Sequence, residues 1–376
     1  MTFGIYLDYN ATAPLRPQAR EAMLAAWDIG GNPSSVHTAG RAARAIVEQA
    51  RDQVAALIGG PASTVVFTSG GTEASALAID SAVAAGSRRL IISAIEHECV
   101  LETAKASGMA VEILPVTEAG IADLAWLESR LNDWDPSDGK PLVALMLANN
   151  ETGIVQPVLA ASEIVRGVDG WLHVDAVQAA GKIAMDSRAL GADTLAVSAH
   201  KLGGPQGVGA LTFGPRATLV RRQHGGGQER GRRAGTENVA GIAGFGAAAS
   251  ASLADTNDNS VWRDDAARLL TSFGGVVVGE ASPRLPNTLC VAMPGHAADL
   301  QVMSFDLAGY QVSAGSACSS GKVKASQVLT AMRLDDIAGC AIRVSGGWAT
   351  TEADWQGFVQ AWSNLQSQAR QRAAAA

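Results

Sequence analysis

From about residue 40 to residue 215, short apolar runs alternate with alanine-rich stretches of helical period. Val65-Val66-Phe67, Leu90-Ile91-Ile92, Val111-Glu112-Ile113-Leu114, residues 142–146, Leu172-His173-Val174 and Leu195-Ala196-Val197 read as strands, with helices such as 42–58 and 73–85 between them. This alternation predicts an α/β fold: a mostly parallel mixed sheet covered by helices on both faces. Residues 208–213 follow a Gly/Pro turn and are predicted to return antiparallel. Beyond about residue 255 the texture changes, with short strands at Val276-Val277-Val278, 287–293 and Ile342-Arg343-Val344-Ser345 among helices, as in a smaller α+β domain. The polar stretch 254–259 is the expected boundary. A last helix from Glu352 to about Arg372 carries Trp355, Phe358, Trp362 and Leu365 at helical spacing, which predicts a packed face; the four closing alanines are expected to fray.

Composition narrows the class. The 376 residues are 47% hydrophobic and 17% charged, enough for a large core and two domains. Forty-one glycines with 5% aromatics fit tight helix-on-sheet packing and many turns. A net charge of −7 gives no electrostatic reason for nucleic acid or an anionic membrane as a partner. No apolar run reaches the length of about 18 residues that a span needs, and the first residues lack a secretory pattern, so a cytoplasmic location is expected. Cys99, Cys290, Cys318 and Cys340 form no Cys-x-x-Cys pair, so neither zinc nor a disulfide framework is indicated.

Three places carry candidate chemistry. Ser198-Ala199-His200-Lys201 ends a strand and delivers an amine into a Gly/Pro turn, at the sheet edge where α/β ligands bind; Lys201 is a candidate Schiff-base lysine or a solvated surface charge. Phe67-Thr68-Ser69-Gly70-Gly71-Thr72-Glu73 runs from strand through glycine turn into helix, a phosphate cradle or an ordinary capped turn. It lacks the lysine and spacing of a P-loop. His173-Val174-Asp175-Ala176-Val177-Gln178 ends a strand and is predicted to begin a helix, with Asp175 either a buried carboxylate requiring a cationic partner or an N-cap. Anion cradle, carboxylate for a ring nitrogen and Schiff-base lysine together describe pyridoxal 5′-phosphate.

At this point the chain resembles the class V aminotransferases, and within them the NifS/IscS-like cysteine desulfurases. The resemblance runs nearly end to end: Tyr6-Leu7-Asp8-Tyr9-Asn10-Ala11-Thr12, Gly31-Asn32-Pro33-Ser34-Ser35-Val36-His37, Glu96-His97, Asn149-Asn150-Glu151-Thr152-Gly153 and the block from Gly225-Gly226-Gly227-Gln228-Glu229-Arg230-Gly231 to Thr236-Glu237-Asn238. It implies a pyridoxal-phosphate-dependent transferase of fold type I, with a large domain over 15–255 and a small domain over 1–14 and 256–376. It also implies roles. Lys201 would bind the cofactor aldehyde and move protons; His97 would stack on the ring; Asp175 would hold the pyridinium. Asn150 would lie near the phenolic oxygen and the substrate carboxylate, and Gln178 would bond that phenolic oxygen. Gly71, Thr72, Ser198 and His200 would contact the phosphate, together with Thr236 of the neighbouring subunit in a homodimer with a shared site. Arg343 would clamp the α-carboxylate of L-cysteine, the alternative being an internal ion pair.

What separates a desulfurase from its aminotransferase relatives is Cys318. It sits in Ser313-Ala314-Gly315-Ser316-Ala317-Cys318-Ser319-Ser320-Gly321-Lys322, mobile by composition, and is the expected sulfur acceptor, with Lys322 and Lys324 as candidates to favour its thiolate. Cys290 reads as core, and Cys99 and Cys340 as packing residues in helical contexts. Ala325 stands where relatives often carry proline, which would loosen the far anchor of this segment. The expected function is conversion of L-cysteine to L-alanine with sulfur passed through a Cys318 persulfide to an iron–sulfur scaffold or another acceptor protein. A selenocysteine lyase, an aminotransferase of small amino acids and a silent pyridoxal-phosphate-binding assembly partner are the alternatives.

Overall fold

The computed structural model describes residues 4–256, 258–315 and 325–375. Its main sheet is built from β2 (Val65–Thr68), β3 (Arg89–Ser93), β4 (Ala110–Leu114), β5 (Leu142–Ala144), β6 (Trp171–Asp175), β7 (Thr194–Ser198) and β8 (Gly209–Phe213), in the order β2-β8-β7-β6-β5-β3-β4. All are parallel except β8, which runs antiparallel to both β2 and β7, as residues 208–213 predicted. The run expected over 142–146 stops as a strand at Ala144.

Side chains alternate across a strand, and the two faces of this sheet feed separate cores. Phe67, Ile91, Val143, Leu172, Val174, Leu195 and Val197 pack with Val54 and Phe245 from helices Thr38–Leu57 and Val239–Leu253. Leu90, Ile92, Leu142 and Ala144 pack on the other side with Ile79 and Val100, from helices Gly71–Ala84 and Glu98–Ala106. Small residues set the spacing: a Cβ at Gly246 would lie 2.7 Å from the Ala50 Cα, so the helices carrying them approach closely only because Gly246 has none.

A second sheet, in the order β12-β13-β10-β9, is antiparallel and joins β9 (Val276–Val277), β10 (Thr288–Ala292), β12 (Ser313–Ala314) and β13 (Ala341–Ser345). β1 (Ile5–Tyr6) pairs in parallel with β11 (Tyr310–Gln311) beside it. Trp355, Phe358 and Trp362 of helix Glu352–Ala375 are fully buried over this second core, and Leu365 packs at its edge. The helix runs through Ala375, in keeping with the high helix propensity of alanine. No helix among the described residues is long and apolar enough to cross a membrane.

The chain passes between the two sheets first just before helix Pro17–Ile29 and again after helix Val239–Leu253. Arg16 and Asp255 stand at these two crossings and are joined, Nη1 to Oδ1 at 3.0 Å and Nη2 to Oδ2 at 2.5 Å, with the Arg16 guanidinium 5.4 Å over the Trp348 ring. A cavity of about 430 Å³ opens beside them, bordered also by Lys182, Lys201 and Asn287.

Candidate active site

The carboxyl ends of the parallel strands gather the candidate residues. Lys201 follows β7 in a single turn, Ala199–Lys201, and its Nζ donates to the backbone oxygens of Asn10 at 2.6 Å and Ala11 at 2.9 Å. Asp175 ends β6, the neighbour of β7, and is 7% exposed. Its Oδ1 accepts from the Val177 amide at 2.9 Å. Burial pushes this carboxyl up despite the Val177 hydrogen bond and the nearby Lys201 charge. Such a carboxyl accommodates a further cation, which is what a protonated pyridine nitrogen offers.

The segment after Asp175 forms tight turns instead of the expected helix. Ala179 and Ala180 donate back to Ala176, and Gly181 takes φ +74°, which ends any helical run. Gln178 nonetheless reaches inward, its Nε2 donating to the Asn10 backbone oxygen at 3.0 Å.

The cradle follows β2. Gly70 precedes helix Gly71–Ala84 with no side-chain cap, so the first-turn amides stay available for an anion. A Cβ on Gly71 would lie 2.8 Å from Val177 Cγ2, so a larger residue there would push Val177 and the Asp175 turn aside. Glu73 closes the turn beneath by accepting from the Ser69 amide at 2.7 Å and from Arg233 Nε at 2.9 Å. Ser198 is buried at the end of β7. Thr72 hydrogen-bonds the Cys99 thiol.

His97 caps helix Glu98–Ala106, its Nδ1 accepting from the Cys99 amide at 3.2 Å, which leaves the proton on Nε2. His200 Nδ1 lies 3.0 Å from Thr12 Oγ1, and burial lowers this imidazole to about 4, so it is neutral at ordinary pH. Thr236 is exposed.

Arg343, on β13, is held by partners within the chain. Its Nη2 donates to Asp8 Oδ1 at 2.6 Å and its Nη1 to the Asn150 backbone oxygen at 3.1 Å, while its buried Nε has no partner. Asn150 thus enters through its carbonyl. Asn149 builds the turn, its Oδ1 accepting from the Glu151 and Thr152 amides at 2.9 Å each.

Cys318, Lys322 and Lys324 lie outside the described residues. The chain that follows them is anchored by Ser326: its hydroxyl donates to buried Glu151 at 2.6 Å and its amide to Ala338 at 3.1 Å. Cys340 lies in a turn between helix Asp335–Ala338 and β13 rather than in a helix. Cys290 is buried core, and Cys99 packs partly buried beside the site.

Three residues outside the sequence-based set belong to this neighbourhood. Asn10 links both sheets: its Nδ2 donates to Thr288 Oγ1 at 2.9 Å and to Asn150 O at 3.2 Å, and its amide to Ser345 Oγ at 3.0 Å. Lys182 Nζ donates to Asn10 Oδ1 and to Gln178 Oε1, each at 2.8 Å. Glu229 is buried and bidentate on Arg51, at 2.7 and 3.0 Å, and accepts from the Phe67 amide at 2.9 Å. The last fixes the glycine-rich block to the strand that leads into the cradle. All three stand inside quoted motifs or next to them, but only contact assigns them a task.

A lysine and a buried carboxyl on neighbouring strand ends, with an uncapped glycine turn at the edge of the same mixed, mostly parallel sheet, fit the class of pyridoxal-phosphate-dependent enzymes of fold type I. The aminotransferase class-V family matches residues 5–358. A cysteine desulfurase of Cereibacter sphaeroides is 41% identical over 93% of this chain and 92% of its own length. The cysteine desulfurase IscS of Dictyoglomus turgidum is 37% identical over 93% and 91%. The solved NifS-like protein of Rickettsia africae superposes with a TM-score of 0.87 at 32% identity, covering 97% of this chain and 99% of that one. The chain belongs to the class V aminotransferases, among the NifS/IscS-like cysteine desulfurases.

Proposed function

We propose that the protein is a cysteine desulfurase that converts L-cysteine to L-alanine and retains the sulfur on Cys318. The observation that carries the site assignment is the placement of Lys201 and Asp175 at adjacent strand ends beside the uncapped Gly71–Ala84 helix. Asp175 would hold the ring nitrogen, His97 would lie over the ring and Gln178 would reach the phenolic oxygen. Gly71, Thr72, Ser198 and His200 would hold the phosphate, with Thr236 of a second copy, which makes the working unit a homodimer. When bound, pyridoxal 5′-phosphate supplies an electron sink for the substrate carbon.

The protein's own residues do the rest. Lys201 takes the substrate Cα proton, and Arg343, with Asn150 beside it, orients the substrate carboxylate. His97, with its proton on Nε2, handles the substrate thiol. The Cys318 thiolate attacks the substrate sulfur; the carbon–sulfur bond breaks, its electron pair stays with carbon, and a persulfide forms on Cys318. The sulfur then passes to an acceptor protein such as an iron–sulfur scaffold. A division at 15–255 against 1–14 with 256–376 would put the cradle in one domain and Arg343 and Cys318 in the other.

The test is peptide mass spectrometry after exposure to L-cysteine, with alanine measured in parallel. One added sulfur on Cys318 is expected, and Cys318→Ser should keep the cofactor spectrum and lose alanine production. Normal turnover by that variant would refute the assignment.

A further inference from the structure

Two nearly buried guanidiniums share one carboxylate oxygen. Helix Ser260–Ser272 carries Arg263, whose side chain is 9% exposed; its Nε and Nη2 lie 2.9 and 2.7 Å from Asp264 Oδ1, and its Nη1 donates to the Leu285 backbone oxygen. Arg284, 6% exposed, has its Nη2 3.6 Å from the same Oδ1, too far for a hydrogen bond, and its buried Nη1 has no partner. Asp264 itself is 55% exposed, so water weakens what it offers either arginine. Both arginines line a surface hollow of about 360 Å³, together with Asp264, Arg268, Glu280 and Ser282.

We propose that this hollow is a binding site for a small phosphate-type dianion, free or as a monoester, held between Arg263 and Arg284. A buried guanidinium needs an anion that also accepts from its N–H groups, and the distant Oδ1 of Asp264 does neither well for Arg284. Burial and the Arg263 charge accordingly lower this guanidinium from the ordinary arginine range. Asp264 occupies, from within the chain, the place of the ligand. A dianion that displaces it neutralises both arginines at once, and its several oxygens match two planar forks. The rest of the lining tolerates negative charge. Arg268 is exposed and paired with Asp265, exposed Glu280 reaches Arg284 only through its charge, and Ser282 Oγ is committed to the Ala119 backbone oxygen at 2.7 Å.

The hollow is separate from the glycine cradle, none of whose residues line it. Through the backbone it adjoins the other end of the site. Arg284 is bridged to Ile154, the Leu285 amide donates to Gly153 O at 2.8 Å, and Arg263 holds the Leu285 oxygen. Both arginines are thus tied to the segment that lies against the chain leaving the Asn150 turn.

The test is equilibrium dialysis of the cofactor-loaded protein against radiolabelled inorganic phosphate, and separately against labelled glycerol 3-phosphate, at about 0.1–10 mM and constant ionic strength. Cofactor absorbance is followed throughout, so that phosphate entering the cradle shows as lost cofactor. About one anion per chain should bind, and Arg284→Met should weaken it about tenfold or more. Asp264→Asn, at a half-exposed position, should tighten it about threefold or more by removing the competing charge. Either probe bound in this pattern supports the proposal, and the tighter of the two tells a free phosphate from an organic one. No binding in that range, equal binding by Arg284→Met, or uptake only as cofactor leaves overturns it. Should Arg284→Met not fold, Asp264→Asn decides: unchanged or weaker binding overturns the proposal.

Discussion

Arg343 and Asp8 are bound to each other across the junction of the two sheets, Nη2 to Oδ1 at 2.6 Å, with the arginine side chain 4% exposed and the aspartate 18%. A guanidinium committed in this way is already oriented, and its unpartnered Nε leaves one donor unused inside the site. Under the proposed function, a substrate carboxylate would meet a guanidinium held by the N-terminal segment.

Arg343→Lys should retain cofactor binding and lose about 100-fold in kcat/KM, because a point-like ammonium cannot keep both Asp8 and a carboxylate in planar register. Steady-state kinetics beside the cofactor absorbance would check this. Asp8→Asn leaves a buried guanidinium short of its counter-charge and should lower unfolding free energy by about 2–3 kcal/mol in a urea titration, less than for a fully buried pair because Asp8 is partly wet.

Glu229→Gln should cost about 3 kcal/mol or more, since Arg51 is 3% exposed and loses the partner that burial demands. The same substitution loosens the Phe67 amide and the glycine-rich block, so pyridoxal 5′-phosphate should bind more weakly. Denaturation of the cofactor-free protein and cofactor titration would report the two effects separately.

Asp175→Asn should act with opposite sign in the two states of the protein. Burial raises the Asp175 carboxyl in the folded chain, so the unfolded chain releases that proton first and stability falls as pH rises from the ordinary carboxylate range toward the raised value. Cofactor-free Asp175→Asn should thus melt higher than the wild type at about pH 7, with the gain vanishing below about pH 4, where the carboxyl is protonated in both states. The cofactor-loaded variant should lose its stabilisation. Thermal melts with and without cofactor at both pH values would check the reversal.

Cys99 and Cys290 should be silent in sulfur chemistry. Burial first, helped by Asp175 at Cys99 and by Glu151 at Cys290, pushes each thiol up to about 12. At about pH 8 an alkylating reagent should mark Cys318 on the native protein and leave these two unmarked, as peptide mapping would show.

Much of the fold was legible because strand and helix periods differ and each strand here is short and apolar. The antiparallel return of β8 and the packed tryptophan face followed from turn chemistry and spacing. The turn after Asp175 was misread as a helix because Ala176-Val177-Gln178-Ala179-Ala180 has helical propensity, while Gly181 ends it. Lys201, Asp175 and the cradle could be named because each ends a strand within a recognisable local pattern. Asn10, Lys182 and Glu229 could not, since their tasks exist across 172 positions of chain between Lys182 and Asn10 and 178 between Glu229 and Arg51. Long-range contacts of that sort leave no periodic trace.

The Arg16–Asp255 pair has a mechanical meaning. A body joined to another by two separate strands of chain turns about the line through both joints, and the further apart they are, the stiffer that axis. Here one bidentate ion pair draws the joints together beside the ring of Trp348. The axis shrinks to a pivot. A rotation about such a pivot would displace Lys201, which lines the same cavity, less than the remote parts of the second sheet.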